Sequence, residues 1–398
     1  MKRSRSMVSG VFAAGLSLSC EAAVQEISAV FRPDPSNPMV NQFKNTTPPG
    51  GYCGDHPSYC QNGVFSIHFP IVFNATVPIQ PLGEVRRGPM FQIPSSLTAI
   101  NVTHRATGES KQVFIRFTGI GGAHEQTQPL HAGTWEGGNW VNAPSPCQYG
   151  GVGYGNAYYY GFFWRVPADA GLCFKRPTHV IPDFKYSNMS VSYELITPNP
   201  LGMLSGNYEG THTFLVGPMR DFDMGDVMLP DDNVLTLNFT LSVEHDLKVE
   251  VPPGGNRVEL VPQGGWQAWL NQGRKPARLF RDQTFHISAS SRFKMQMACE
   301  RVIGDTCALR NTTDGHAVPL DVSVSLPHGL NREDGGAVIR QPLLLSGAGT
   351  EQFQPVFYVN RRPGTLHFEV QKQYADQMVE RGGSTYAGQV SVIWDSDL

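Results

Sequence analysis

The chain has 398 residues, more than a single hydrophobic core usually serves, which favours two domains. Apolar residues make up 40% of it and charged residues only 16%, with 42 Gly and 30 Pro, a composition typical of a turn-rich folded protein and not of a disordered one. The formal net charge is -3 and the basic residues form no run, so the sequence indicates no nucleic-acid partner.

The N-terminus has the features of a secretory signal peptide. Three basic residues precede an apolar run at 7–18, and small residues follow around Cys20. We expect cleavage near Ala22 or Ala23 and export of the remainder. A lipid anchor on Cys20 is the alternative, but Ser17 stands where such signals carry a large aliphatic residue.

Alternation of apolar and polar residues predicts strands along most of the chain. It is clear from Phe65 to Phe73, from Val191 to Leu195 and from Leu320 to Leu326. A period of 3.6 residues is not sustained over three turns anywhere, and only 371–380 is expected to form a short helix. The fold class is therefore predicted to be all-β, with two tandem β-sandwich domains of immunoglobulin-like or jelly-roll type.

The longest alternating segment runs from Leu235 to Val251 and is interrupted at 244–246. Extended at about 3.3 Å per residue it would cover roughly 56 Å, too much for one domain. The interruption is therefore the predicted boundary. The predicted organisation is a signal peptide at 1–22, a first domain at 23–244, a linker at 245–246 and a second domain at 247–398.

The cysteine count becomes even when Cys20 leaves with the signal peptide. Six cysteines allow fifteen pairings, but three short separations favour local disulfides in an oxidising compartment. The expected pairs are Cys53 with Cys60, Cys147 with Cys173, and Cys299 with Cys307. A metal site is the alternative, but no close pair has the spacing of a zinc knuckle.

The sequence carries none of the common catalytic signatures. H-E-x-x-H, G-x-S-x-G and the phosphate-binding loop are absent. Gly151, Gly153 and Gly155 are followed by aromatic residues and not by a helix, which argues against a dinucleotide site. We predict that the protein is not an enzyme and has no cofactor.

Two aromatic segments are candidates for ligand binding. Trp135 and Trp140 lie in a Gly-rich stretch with loop character, and we predict that they contact a receptor, although packing over the mouth of a sandwich is the alternative. The stretch at 149–164 suits stacking on sugar rings. There, the pattern favours Tyr158, Tyr160 and Phe162 as alternate core residues of a strand.

The acidic segment with Asp221, Asp223 and Asp226 suggests a calcium site. The helix-loop-helix calcium motif requires Gly at its sixth position, where this chain has Asp226. A solvated acidic loop is therefore the preferred interpretation, and no metal is predicted.

Three stretches resemble the tip adhesins, or initiator subunits, of colonization-factor and cable-type pili of the alternate chaperone-usher class. These stretches are LPDDNVLTLNFTLSVEHDLKVEV, VEVPPGGNRVELVPQGG, and RPGTLHFEVQK with STYAGQVSVIWDSDL. The resemblance covers the chain from about Leu247 onward and the last quarter of the first half. It implies an adhesin sandwich joined by a short linker to an incomplete immunoglobulin-like pilin domain that lacks its final strand.

The resemblance also implies partners and a location. A periplasmic chaperone fills the open groove first, and the N-terminal strand of the next subunit then replaces it. The implied partners are this chaperone, an outer-membrane usher, the major pilin and a host-surface glycan or glycoprotein. The implied location is the pilus tip on the cell surface, reached through the periplasm.

Basic residues in related adhesins form a receptor patch, which points to Arg86, Arg87 and Arg220 in this chain. Arginine binds carboxylates with two parallel hydrogen bonds, so acidic glycans are the expected ligands. The alternative is that these residues only maintain solubility.

The C-terminal segment is expected to form an assembly edge. Tyr386, Gly388, Val390, Val392 and Trp394 share one parity in a strand with no successor, and such an edge invites a strand from a partner. The alternative is an ordinary strand paired inside its own sheet. The segment at 23–38 lacks long alternation, which is expected of a subunit that accepts a strand but donates none.

Two other classes of protein remain open. Six N-x-S/T sequons suit a secreted glycoprotein, although Asn238 lies on the polar parity of the long strand, where a glycan fits poorly. A carbohydrate-binding β-sandwich module unrelated to pili would explain the aromatic residues and cysteines, but it needs no exposed C-terminal edge.

Overall fold

A computed structural model describes residues 23–60, 63–272 and 275–396. Strands account for 47% and helices for 8%, so the all-β prediction is confirmed. The predicted signal peptide lies outside the described residues. Among the helices that are described, none is long and apolar enough to cross a membrane.

Strands β1 to β14 build the first half. Their bounds are β1 Ala23–Phe31, β2 Lys44–Asn45, β3 Phe65–His68, β4 Phe73–Ala75, β5 Met90–Phe91, β6 Thr98–His104, β7 Ser110–Glu125, β8 Gln148–Gly155, β9 Tyr159–Arg165, β10 Cys173–Phe174, β11 Lys185–Ile196, β12 Gly206–Leu215, β13 Met228–Pro230 and β14 Val234–Val243. The helix α1 spans Tyr52–Asp55, and single 3-10 turns lie at Pro57–Tyr59, Val85–Arg87 and Pro200–Gly202.

Most of these strands belong to one curled sheet. Its order is β13-β4-β11-β7-β6-β12-β14-β1-β2, with β3 added to β11 and the hairpin β8–β9 added to β7. In β14 every second residue is buried, from Leu235 to Val243, because the pleat turns alternate side chains to the core. The N-terminal strand β1 pairs with β14 in parallel, from Ala23 opposite Leu235 to Phe31 opposite Val243.

One predicted strand is shorter than expected. The alternation from Phe65 to Phe73 was expected to form one strand, but the structure divides it into β3 and β4. Pro70 lies in the break, and proline lacks the backbone N–H that a ladder needs. Ile67, Phe69 and Ile71 are nevertheless buried, so the parity predicted the core-facing side chains correctly.

Strands β15 to β27 build the second half. Their bounds are β15 Leu247–Glu250, β16 Val261–Pro262, β17 Arg278–Ala289, β18 Lys294–Cys299, β19 Val302–Ile303, β20 Thr306–Asn311, β21 Ala317–Ser325, β22 Leu330–Arg332, β23 Gln341–Pro342, β24 Phe353–Pro355, β25 Val359–Gln371, β26 Tyr386–Ala387 and β27 Val390–Asp395. Helices α2 and α3 span Gly265–Gln272 and Lys372–Glu380. The main sheet has the order β15-β17-β25-β21-β20-β19, and β18 pairs with β27 in a separate two-stranded sheet.

The two halves have separate hydrophobic cores that meet at a short junction. There His245 lies between the halves: its Nε2 is 3.0 Å from the Met203 carbonyl oxygen and its Nδ1 is 3.1 Å from Ser290 Oγ. Tyr358 donates a hydrogen bond to Asp246 at 3.0 Å. These contacts tie the junction to both halves.

Candidate functional site

A groove of about 1000 Å³ opens along the second core. Its walls include the apolar side chains of Leu279, Phe285, Leu309, Leu320, Leu366, Phe368 and Met378. All five residues of the predicted assembly edge also line it, namely Tyr386, Gly388, Val390, Val392 and Trp394. Covering an apolar groove of this size with matching side chains of a partner is favourable, because it removes apolar surface from water.

The last strand, β27, is paired on one side only in the part of the chain that the structure describes. Its partner is β18, with Val392 opposite Met297. Glu300 donates a backbone hydrogen bond to Gln389 at 3.2 Å, so hydrogen-bonded pairs alternate from that point along the ladder. Val392 falls on a position that is not hydrogen-bonded to β18.

Val390 and Trp394 lie two residues to either side of Val392, so they also occupy positions that are not hydrogen-bonded to β18. The N–H of Met295, opposite Trp394, donates to Thr350 on the far side of β18, as a residue at such a position should. The backbone N–H and C=O groups of Val390, Val392 and Trp394 therefore point to the free edge of β27. This edge presents both a row of hydrogen-bonding groups and an apolar wall to a further strand.

Trp135 and Trp140 require a correction to the predicted receptor site. They are only 8% and 2% exposed and belong to the first core. The Trp140 ring lies 4.6 Å from Trp135 and 4.9 Å from Trp164, centroid to centroid. Burying two indoles removes a large apolar area from water, which exposure in a loop would not do. The structure therefore supports the packing alternative.

Lys175 holds the Gly-rich stretch over this aromatic cluster. Its Nζ donates to the carbonyl oxygens of Gly138 and Asn139 at 2.9 and 2.8 Å. Burial lowers the pKa of Lys175 to about 8, because the charged form loses hydration. The loop is thus anchored by a side chain that follows it by more than thirty residues.

His124 is buried beside the same cluster, and we predict that it makes the protein less stable in acid. Burial lowers its pKa to about 4 from the usual 6.5. Between these values the unfolded chain binds a proton at His124 that the folded chain does not bind. The free energy of unfolding is therefore highest above pH 6.5 and falls as the pH drops to 4. The loss should reach about 3 kcal/mol.

Urea unfolding at pH 7.5 and pH 4.5 checks this expectation. Replacing His124 with Phe should make the difference between the two pH values smaller, whatever the variant costs at neutral pH. The pKa of His245 is also lowered by burial, so a smaller dependence of the same sign should remain. An unchanged difference in the variant would contradict the assignment to His124.

Arg86 is engaged within the protein. Its guanidinium donates to Asp223 at 2.9 Å and to Asp226 at 2.7 Å, and these two carboxylates raise its pKa. The ion pairs tie the 3-10 turn at Val85–Arg87 to the acidic loop. Arg86 thus links the two loops, and its guanidinium is not free to bind a carboxylate of a ligand.

Arg87 and Arg220 are exposed, and they lie on the two segments that the ion pairs of Arg86 join. The backbone N–H of Met219, next to Arg220, donates to Asp223 at 3.0 Å. The structure therefore brings the predicted basic residues onto neighbouring loops. A receptor role for Arg87 and Arg220 stays a prediction.

The acidic loop uses its carboxylates to accept hydrogen bonds. Asp221 accepts from the N–H of Leu215 at 2.7 Å, and Asp223 accepts from Gly225 at 2.8 Å as well as from Arg86. Among the described residues, no group of three His, Cys, Asp or Glu side chains is arranged to hold a metal ion.

The segment at 149–164 differs from the predicted core strand. Phe162 is buried as expected, Tyr160 is partly buried, and Tyr158 is 51% exposed in the turn between β8 and β9. Tyr149 and Tyr154 are also about half exposed. Tyr154 was not among the residues predicted from the sequence. The signal that could have identified it is its position between two glycines, Gly153 and Gly155.

The structure contains three disulfides, Cys53–Cys60, Cys147–Cys173 and Cys299–Cys307. The first closes the short segment with α1 over the hairpin β8–β9. The third joins β18 to β20 beside the groove. The first disulfide therefore braces the outer face of the hairpin, and the third braces the wall of the groove.

No protein-family model and no curated protein matches the chain. Among solved structures, it is similar to the tip adhesin in a chaperone complex of CFA/I fimbriae, with 10% identity over 95% of this chain and 97% of that chain and a TM-score of 0.27. It is similar to CfaE, the adhesive subunit of the CFA/I fimbria of enterotoxigenic Escherichia coli, with 9% identity over 94% and 92% and a TM-score of 0.25.

A third similar structure is the CsuC-CsuE chaperone-tip adhesion subunit pre-assembly complex from the archaic Csu pili of Acinetobacter baumannii. Identity is 9%, coverage is 94% of this chain and 98% of that chain, and the TM-score is 0.23. Identities and TM-scores this low assign no function to this chain.

Proposed function

We propose that this protein is the tip adhesin of a chaperone-usher pilus. Residues 23–244 form a receptor-binding domain, and residues 247–398 form a pilin domain that accepts a strand from a chaperone and then from the next subunit. The observation that carries the proposal is the open apolar groove beside β27. A strand inserted there would pair with the free backbone groups and fill the apolar walls at once.

The N-terminal strand supports a position at the tip. All nine residues of β1 pair with β14 inside the first half, and Ile27, Ala29 and Phe31 are buried in its core. Removing β1 to serve another subunit would expose this core. β1 is therefore unsuited to serve as a donor strand for another subunit, which agrees with the resemblance of the sequence to tip subunits.

A synthetic strand tests the assembly role. The full chain, purified from the periplasm, is mixed with a peptide that alternates Val or Ile with Thr, and with a control peptide of equal composition but blocked order. We expect the alternating peptide alone to raise the free energy of unfolding of the second half, by about 2.7 kcal/mol at a hundredfold excess over its Kd. Equal effects of the two peptides, or none, would contradict strand acceptance.

Attachment to cells tests the adhesive role. Beads that carry the full chain should bind epithelial cells, and periodate oxidation of the cell-surface glycans should remove the binding. Binding that survives periodate would contradict a glycan receptor, and no binding at all would contradict the adhesin proposal. The mass of the secreted chain separates this proposal from a glycoprotein, because glycans on the six sequons would add to it.

A further inference from the structure

The outer face of the hairpin β8–β9 is a surface that the proposed function leaves unused. On β9, Phe162 and Trp164 point into the first core, while Phe163 points the other way. The ring of Tyr52 stacks on Phe163 with 3.6 Å between centroids and 9° between planes. Tyr59 lies nearly parallel to Tyr52, at 10° and 6.4 Å.

Two tyrosine rings rest on glycine backbone at this face. A Cβ placed on Gly161 would lie 2.6 Å from the ring of Tyr154, and one placed on Gly151 would lie 2.7 Å from the ring of Tyr59. Only glycine permits such close contact. One side of each ring therefore lies against the sheet, while the residues Tyr154 and Tyr59 are still 55% and 43% exposed.

A positive charge ends the same face. Arg165, four residues after Gly161 on β9 and hence about 13 Å along the strand, is exposed. Among the described residues no carboxylate forms an ion pair with it. Arg165 also hydrogen-bonds to Tyr52, and its charge partly offsets the rise that burial causes in the pKa of Tyr52.

We propose that Tyr59, Tyr154 and Arg165 bind a short oligosaccharide that carries an acidic sugar. Flat tyrosine faces with polar tips suit the apolar faces of sugar rings. A guanidinium that no described carboxylate neutralises favours an anionic group at the end of the row. This inference rests on the proposed adhesin function and assigns its receptor-binding face and ligand class. It places the acid contact at Arg165 instead of at Arg86, whose donors are occupied.

The test uses the full chain and three immobilised probes: sialyllactose with a carboxylate, sulfated lactose, and neutral lactose. We expect the two acidic probes to bind more tightly than lactose, and the tighter of the two identifies the acid. Replacing Tyr154 with Ala should weaken binding to every probe on the order of tenfold. Arg165→Gln should weaken binding to the acidic probes by tenfold or more and leave lactose nearly unchanged.

Two further variants exclude a loss of folding as the cause. Tyr154→Phe keeps the ring and should keep most of the binding. Gly161→Ala keeps every tyrosine, but its Cβ would displace the Tyr154 ring from the sheet. This variant should bind more weakly, while its melting temperature stays close to that of the wild type. Arg105→Gln is the matched control, since Arg105 is an exposed arginine of the same half.

The outcomes separate this inference from the function on which it rests. If the wild type binds cells while the Tyr154 and Arg165 variants bind cells and probes equally well, the assigned face is wrong and the adhesin proposal stands. The same holds if Arg87→Gln with Arg220→Gln abolishes binding that Arg165→Gln leaves intact, or if Tyr154→Ala only dissociates a dimer of this chain. A wild type that binds no cells would overturn both.

Discussion

Replacing Val392 with Pro is expected to weaken capture of an added strand by tenfold or more while the chain itself still folds. The N–H of Val392 points to the free edge of β27 and not to β18, so proline removes a donor that only an incoming strand would use. The lost hydrogen bond is worth about 1 kcal/mol, and the proline ring also blocks the approach. Binding of the alternating peptide should fall by tenfold or more.

Calorimetry with the alternating peptide measures this loss, and thermal unfolding without the peptide measures the fold. Ile393→Pro is the matched control: Ile393 is hydrogen-bonded to Gln296 across the ladder, so this variant should destabilise the second half even without a partner. Ser391→Thr should be nearly silent. If the Val392→Pro chain binds the peptide as well as the wild type, β27 is not the docking edge.

Replacing Trp140 with Ala is expected to destabilise the first half by about 3–5 kcal/mol. The indole is 2% exposed and contacts Trp135, Trp164 and His124, so its removal leaves a large cavity in the core. A loss of this size is a substantial part of the 5–15 kcal/mol that usually holds a domain together.

Urea unfolding of the full chain, followed by tryptophan fluorescence and circular dichroism, measures the change. Tyr158→Ala is the control, because Tyr158 is half exposed in a turn and its truncation should change stability by less than about 0.5 kcal/mol. A Trp140→Ala chain that unfolds like the wild type but no longer binds cells would restore the receptor role first predicted for this residue.

Strand periodicity made much of the fold predictable from the sequence. In β14 and β21 the apolar residues occupy every second position, and the structure buries those same positions. A period of two is a local property of the chain, so neighbouring residues are enough to reveal it. Val390, Val392 and Trp394, which share one parity in the sequence, all line the groove.

The hydrogen-bonding side of β27 was not predictable from the chain. It depends on the register against β18, which two distant segments set together. Parity identifies the face of a strand on which a side chain lies, but the direction of a backbone N–H also requires knowledge of the pairing.

The sequence by itself thus determined the all-β class, the strand faces and the apolar parity of the C-terminal strand, because each of these follows from residues close together in the chain. Tertiary structure decided which aromatic and basic residues remain available. Trp140 lies in a loop with no periodicity, and its burial depends on the core that closes around it. Arg86 is occupied by Asp223 and Asp226, and Tyr59 rests on Gly151, all distant in sequence. Such contacts leave no local pattern, since the free energy of each depends on a partner that only the folded chain brings near.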